Sequence, residues 1–265
     1  MIANLRIGLK DIFLSLHRLQ LVFLLAWHDI RSRYRRSTLG PFWITISMGV
    51  LIFTIAIIFG AIFGRSLKEF LPYISVGLIF WYFFSNIVSE SCNGFIDSEV
   101  IIKQISLPYF TYILRVIVRN YFILAHNLLL LPFIFLIAKY HVTTKIFILI
   151  PALFLISLFV AWISLILSIV CARFRDLGQI IQSILQIIFY ITPIIWLQDL
   201  ITDQKLLILL EFNPIYHFFE LVRNPLLGLV ISLKSFIIII LITIFGWIFS
   251  LFIFGKYSKR IVYWL

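Results

Sequence analysis

Six runs without Asp, Glu, Lys or Arg constrain this chain more than any other feature: Pro41–Phe63, Phe70–Ser89, Asn120–Ala138, Ile146–Ala172, Leu177–Gln198 and Ser235–Gly255. Each is close to the ~20 residues with which a helix, rising 1.5 Å per residue, crosses ~30 Å of hydrocarbon. Only 12% of the 265 residues are charged, about half the share of a soluble domain, so the chain cannot clothe itself in polar surface. Lipid is its solvent. The third helix is expected to start near Tyr109, after Pro108, which places Arg115 and Arg119 in its first turns. The expected fold is an all-α membrane protein, one transmembrane domain over 1–265, with spans at 41–63, 70–89, 109–138, 146–172, 177–198 and 234–255.

The placement of charge orients these spans. With the N-terminus inside, 15 of the 22 Lys and Arg residues fall on the cytoplasmic side, so the positive-inside bias predicts N-in and C-in. Four of them crowd "RSRYRRSTLGPFW", Arg31 to Trp43. In a soluble protein that cluster would suggest nucleic acid. Directly before an apolar wall it marks a membrane surface, and no nucleic-acid partner is expected. Residues 1–40 read as a cytoplasmic segment of one or two interfacial helices with arginines near anionic headgroups. Leu19–Trp27 is followed by His28 and Asp29 rather than a small-residue cleavage site, so no signal peptide is expected. Outside, 199–233 is the one long segment. Its Asn213-Pro214 and Asn224-Pro225 pairs each read as an N-cap followed by proline at the first helical position, predicting two short helices at the outer interface.

Few residues can carry chemistry. Cys92 and Cys171 have no partner spacing for zinc and no disulfide framework, and read as small core residues. No Gly-x-x-x-x-Gly-Lys-Ser/Thr loop is present, so the chain does not bind a nucleotide in that manner. No acidic residue lies mid-span, which argues against a gradient-driven transporter. Asp97 and Glu99 are the nearest approach to a paired-carboxylate site; without a second cluster to complete a metal centre they read as solvated charges. His126 reads as a packed, hydrogen-bonded histidine. Arg115 and Arg119, four apart, share a helix face and either snorkel to headgroups or pair with Glu90, Asp97 or Glu99. In the fifth span Gln179, Ser183, Gln186 and Tyr190 share one face, with Gln182 at its margin, and such a stripe either bonds neighbouring helices or lines a hydrated path. The aromatic run Phe80–Phe84 suits interface anchoring or, beside a hydrated path, stacking on sugar rings.

Taken in order, "DIRSRYRRSTLGPFW", "IDSEVIIKQISLPYFTYILRVIVRNYFILAHN", "ARFRDLGQIIQSILQIIFYITPIIW" and "NPIYHFFELVRNPLLG" resemble the permease subunit of type-2 ABC exporters for surface polysaccharide, the O-antigen and capsule export family. The resemblance implies a homodimer in the bacterial cytoplasmic membrane with two copies of a cytoplasmic ABC ATPase, and a lipid-linked glycan as substrate. ATP and Mg would belong to the ATPase, with no cofactor held by this chain. It further implies an N-terminal interface helix reaching Gly40, and a coupling helix within Gly94–Leu107 that docks on the ATPase. Asp97, Glu99, Lys103, Arg31 and Arg35 would carry the coupling. Gln179, Ser183, Gln186 and Tyr190 would line the channel. The outer helices, with Asn213, Pro214, Tyr216, His217, Glu220, Arg223 and Pro225, would form the external gate. Export of teichoic acid or a small lipophilic compound is the alternative within transport; a membrane-embedded sugar-lipid transferase is the alternative outside it.

Overall fold

The computed structural model describes residues 2–201, 203–230 and 232–265; Met1, Thr202 and Ile231, which fall in the expected interfacial and outer segments, lie outside the described residues. Among the described residues all regular structure is helical. Two helices precede the bundle, α1 (Ile2–Leu16) and α2 (Leu19–Arg33). Then come α3 (Phe42–Ile62), α4 (Leu67–Cys92), the short α5 (Glu99–Gln104), α6 (Phe110–Leu128), α7 (Leu130–Ala138), α8 (Leu149–Arg173) and α9 (Leu177–Ile191). The chain closes with α10 (Gln204–Glu211), α11 (Pro214–Leu226), α12 (Leu233–Tyr257) and α13 (Ile261–Trp264).

Among the described residues five helical stretches are long and apolar enough to cross a membrane: Phe42–Ile62, Leu67–Cys92, Phe110–Ala138, Thr144–Arg173 and Leu233–Trp264. The central one is α4, whose most apolar window is 78% buried against 22% for α3. It touches α3, α6, α7, α8, α9 and α11. Ser66 starts it, accepting from the Glu69 amide in the Ser-x-x-Glu arrangement that satisfies a free helix-end donor. Its aromatic run is chiefly core. Phe80, Trp81, Phe83 and Phe84 are buried, with Phe83 edge-on to Tyr121 and Phe84 against Phe218, while Tyr82 alone of the run is exposed. The break between α6 and α7 falls at Leu129, where Pro132 removes a donor and crowds the carbonyl four residues back.

Two expectations differ from the structure. The fifth apolar run was expected to be helical over 177–198, but α9 stops after 15 residues at Ile191, about 22 Å at 1.5 Å per residue. Thr192 is extended (φ −90°, ψ 139°) because the ring of Pro193 disfavours helical geometry in the residue before it. The second difference concerns Asn224-Pro225. No helix begins there; α11 continues to Leu226 with Pro225 in its last turn. Gly228, at φ 57°, then closes the helix, its amide bonding to the Pro225 carbonyl at 3.3 Å and that of Leu229 to the Asn224 carbonyl at 2.8 Å. This is a left-handed C-terminal cap, which glycine adopts without steric cost. The second short helix is instead α10, ahead of α11. α11 dips into the bundle rather than lying on it: Ile215, Phe218, Phe219, Leu221, Val222 and Leu226 are buried against α4, α8 and α12.

Candidate functional site

At the α2 end of the bundle, acidic and basic side chains from three helices meet. Arg115 of α6 grips Asp29 of α2 with two donors, Nε to Oδ2 at 2.8 Å and Nη2 to Oδ1 at 2.5 Å. One turn on, Arg119 donates Nη1 to Asp29 Oδ2 at 2.9 Å and Nη2 to Glu90 Oε2 at 2.8 Å. Asn120 Nδ2 adds a 2.7 Å bond to the same Glu90 oxygen. Paired forks of this kind are stronger than neutral hydrogen bonds and fix orientation as well as distance. Burial pushes the Asp29 carboxyl up, but the two guanidinium groups outweigh it and hold it below the usual carboxylate range. Of the partners expected for the two arginines, Glu90 is present; Asp97 and Glu99 are not, and Asp29 takes their place.

The same end carries the residues expected to couple. A 3-10 turn, Ile96–Ser98, leads into α5, and Asp97, Glu99 and Lys103 sit together on this segment. Lys103 Nζ donates to Glu99 Oε1 at 2.6 Å across one helical turn, which holds the Glu99 carboxyl below its ordinary range. Arg31 and Arg35 stand elsewhere, lining a cleft of about 750 Å³ with Trp27, His28, Phe42 and His126. Asp11 serves a purpose the sequence did not suggest. Its two carboxylate oxygens accept from the Phe110 and Tyr109 amides at 2.9 and 3.0 Å, so α1 caps the start of α6.

Along α9 only Leu185 is buried. Gln179, Gln182, Ser183, Gln186 and Tyr190 are all exposed, as are Ile180, Ile184, Ile187 and Ile191 on the adjoining face. The helix therefore offers a polar face that no neighbour in its own chain covers. Gln186 and Tyr190 line a groove of about 570 Å³ with Leu51, Ile55, Trp81, Tyr82 and Phe189.

At the opposite end all seven expected gate residues belong to one capped helix. Asn213 accepts from the Ile215 amide at 2.9 Å with Pro214 at the first position, as expected, and its Nδ2 reaches Thr192 Oγ1 at 2.9 Å. Tyr216 Oη lies 3.1 Å from Glu220 Oε1 and 3.0 Å from Gln198 Oε1. His217 Nε2–H donates to the Glu211 carbonyl at 2.8 Å, and its Nδ1 meets Ser235 Oγ, which also bonds Glu220. Arg223, 6% exposed, has no carboxylate partner among the described residues. It donates instead to the Tyr73 hydroxyl and to the Pro193 carbonyl. Pro225 lies in the closing turn of the helix. Tyr73 was not anticipated; as a tyrosine in an apolar run it carries no local signal of a partner so remote in sequence.

A bundle of apolar helices with a charged collar at one end and an uncovered polar helix face defines a multi-pass membrane protein. The family model described as ABC-2 type transporter matches residues 20–227, and the chain belongs to that family, as a transmembrane transport component. It is similar to the O-antigen export system permease protein RfbA of Myxococcus xanthus, 24% identical over 198 residues that cover 73% of this chain and 75% of that one. A protein of the same name from Klebsiella pneumoniae is 23% identical over 188 residues, 71% of this chain and 72% of its own. The polysialic acid transport protein KpsM of Escherichia coli is 24% identical over 224 residues, 82% of this chain and 86% of its own.

Proposed function

We propose that this chain is the channel-forming subunit of an ATP-driven exporter that moves a lipid-linked polysaccharide across the bacterial cytoplasmic membrane. It acts as a homodimer with two copies of a separate ATPase, which holds ATP and Mg. The observation that carries the reading is the uncovered face of α9: in a membrane a row of glutamines is stable only against water or a partner helix. Two such helices facing each other enclose a hydrated path, and the buried turn after Ile191 carries the chain on from α9 as the sixth crossing. The names of the relatives, which concern O-antigen and polysialic acid, support polysaccharide as the substrate class.

The remaining residues take their places along that path. The excess of basic side chains near α1, α2, α5 and α13 favours this end as cytoplasmic, with both termini there. Asp97, Glu99 and Lys103 receive the ATPase, Arg31 and Arg35 flank it, and the Asp29, Glu90, Arg115 and Arg119 cluster makes α2, α4 and α6 move together. At the outer end α11 gates the exit. The chain itself makes and breaks no covalent bond. Deleting its gene tests the reading: lipid-linked glycan is expected to accumulate inside while surface glycan disappears, and unchanged surface glycan overturns it.

A further inference from the structure

Apart from the α9 stripe, a polar cavity of about 360 Å³ lies where α3, α4 and α6 meet. Ser47, Tyr82, Asn86 and Asn127 line it, with the half-exposed Arg33 beside them. Asn127 is 2% exposed, and its Oδ1 has no hydrogen-bond partner. That oxygen is enclosed by protein, but two amides, hydroxyls and an arginine gathered on one wall among apolar helices call for an occupant that can hydrogen-bond.

The lining selects the class of occupant. Amides, a phenol and a hydroxyl are neutral donors and acceptors. The single cation, Arg33, already leans toward Glu90 at 3.5 Å, which is a poor setting for a phosphate that favours several cations or a bidentate fork. Ile44, Met48 and Ile123 supply apolar wall between the polar groups. Polar groups interleaved with apolar wall match a pyranose ring, with hydroxyls at its rim and C–H bonds across its faces. The cavity also shares Leu51 and Tyr82 with the groove that Gln186 and Tyr190 line, so a sugar here is continuous with a polymer there.

We propose that this cavity is a subsite for one neutral sugar residue of the glycan, recognised by Asn86 and Asn127. The proposal rests on the export reading and deepens it. The chain has two methionines, Met1 and Met48, and Met48 lines the cavity, so photo-methionine places a single reporter inside it. Irradiation of glycan-producing cells carrying the whole transporter, followed by mass spectrometry, is expected to give a sugar-bearing adduct on the Met48 peptide. Asn127→Leu and Asn86→Leu, compared at equal membrane level, should each lower that adduct about fivefold, the worth of roughly one hydrogen bond. If Asn127→Leu does not accumulate, Asn86→Leu carries the comparison. Cells that still display surface glycan through this chain while Met48 captures only phospholipid, or nothing, overturn the subsite and leave the export reading standing. An adduct unchanged in the variants likewise overturns it. Surface glycan indifferent to deletion of the chain overturns the export reading itself.

Discussion

Arg223 Nη1 lies 2.6 Å from the carbonyl oxygen of Pro193, tying α11 to the turn that follows α9. The same nitrogen is 2.8 Å from the Tyr73 hydroxyl, and the guanidinium carbon sits 4.0 Å above the Tyr73 ring. Tyr73 in turn reaches the Pro193 and Trp196 carbonyls at 3.0 and 2.9 Å. Backbone that leaves helical geometry at membrane depth needs its polar groups paired by protein, and this pair of side chains supplies the partners.

Removing that arginine exposes the debt. Arg223→Met takes the charged donor from the Pro193 carbonyl and leaves it Tyr73 alone, at a cost of about 1.5–3 kcal/mol, on the order of 3–12 °C in melting temperature for a chain of this size. Gly77→Ala should act similarly from the other side, because a Cβ there would stand 2.5 Å from Arg223 Nη2 and 2.8 Å from the Ile194 carbonyl. Backbone cannot yield as a flexible side chain does. Thermal unfolding of the purified protein in detergent checks both; a Gly77→Ala protein as stable as the wild type would contradict this arrangement.

Asp29 makes stability depend on pH. Its carboxyl, held low by Arg115 and Arg119 despite burial, has a folded pKa below its unfolded value. Such a group contributes fully above the unfolded pKa of about 4 and loses its contribution as pH falls through the folded value. The melting temperature should therefore be level from neutral pH to about pH 5 and drop in more acid solution. With side chains only 13% and 20% exposed, Asp29→Asn strands a guanidinium and should cost about 2–4 kcal/mol at neutral pH. It should also flatten the acid limb, and a limb equally steep in the variant would assign acid lability to another group.

Much of this fold was readable in advance because hydrocarbon imposes a simple demand: a span must hold a long uncharged run. That demand located the long helices, and the Asn213-Pro214 cap was equally local. What failed were decisions that local residues leave open. Asn224-Pro225 has the composition of a helix start, yet the buried row Phe218, Leu221, Val222 and Leu226 carries α11 past it, and Gly228 supplies a stop. Pro193 did signal the end of α9, but hydropathy alone continued the run to Gln198. Asp29 and Arg115 stand 86 residues apart, and nothing in their own neighbourhoods names the partner. The polar face of α9 was visible as periodicity; the clamp on its tail was not.

The Glu99 and Lys103 pair separates docking from helix support. Both side chains are solvated, and an exposed pair one turn apart adds little to folding. Glu99→Lys should leave melting unchanged while lowering ATP hydrolysis of the assembled transporter several-fold, if the ATPase reads this surface. The exchange Glu99→Lys with Lys103→Glu restores the pair but inverts the charges shown to a partner. Hydrolysis restored by the exchange would make the pair a helix support only; hydrolysis still depressed is the expected result.

The polar face of α9 either lines water or bonds a partner helix, and cysteine labelling distinguishes the two. Both natural cysteines, Cys92 and Cys171, are buried, so replacing them gives a quiet background. In the proposed dimer, cysteines at Gln179, Ser183, Gln186 and Tyr190 should react with a membrane-impermeant maleimide once the inner face is opened. Those at Ile184 and Leu185, about 100° or more round the helix from each of these four, should react far less. A helix packed polar face to polar face would leave both sets unreactive. Gln186→Leu adds the functional half of the test. Nothing in its own chain packs over the Gln186 amide, so folding should be unaffected, whereas an apolar patch in a hydrated path repels sugar hydroxyls and should cut surface glycan several-fold. Loss of dimer with Gln186→Leu, read by size in detergent, would instead assign the stripe to helix pairing.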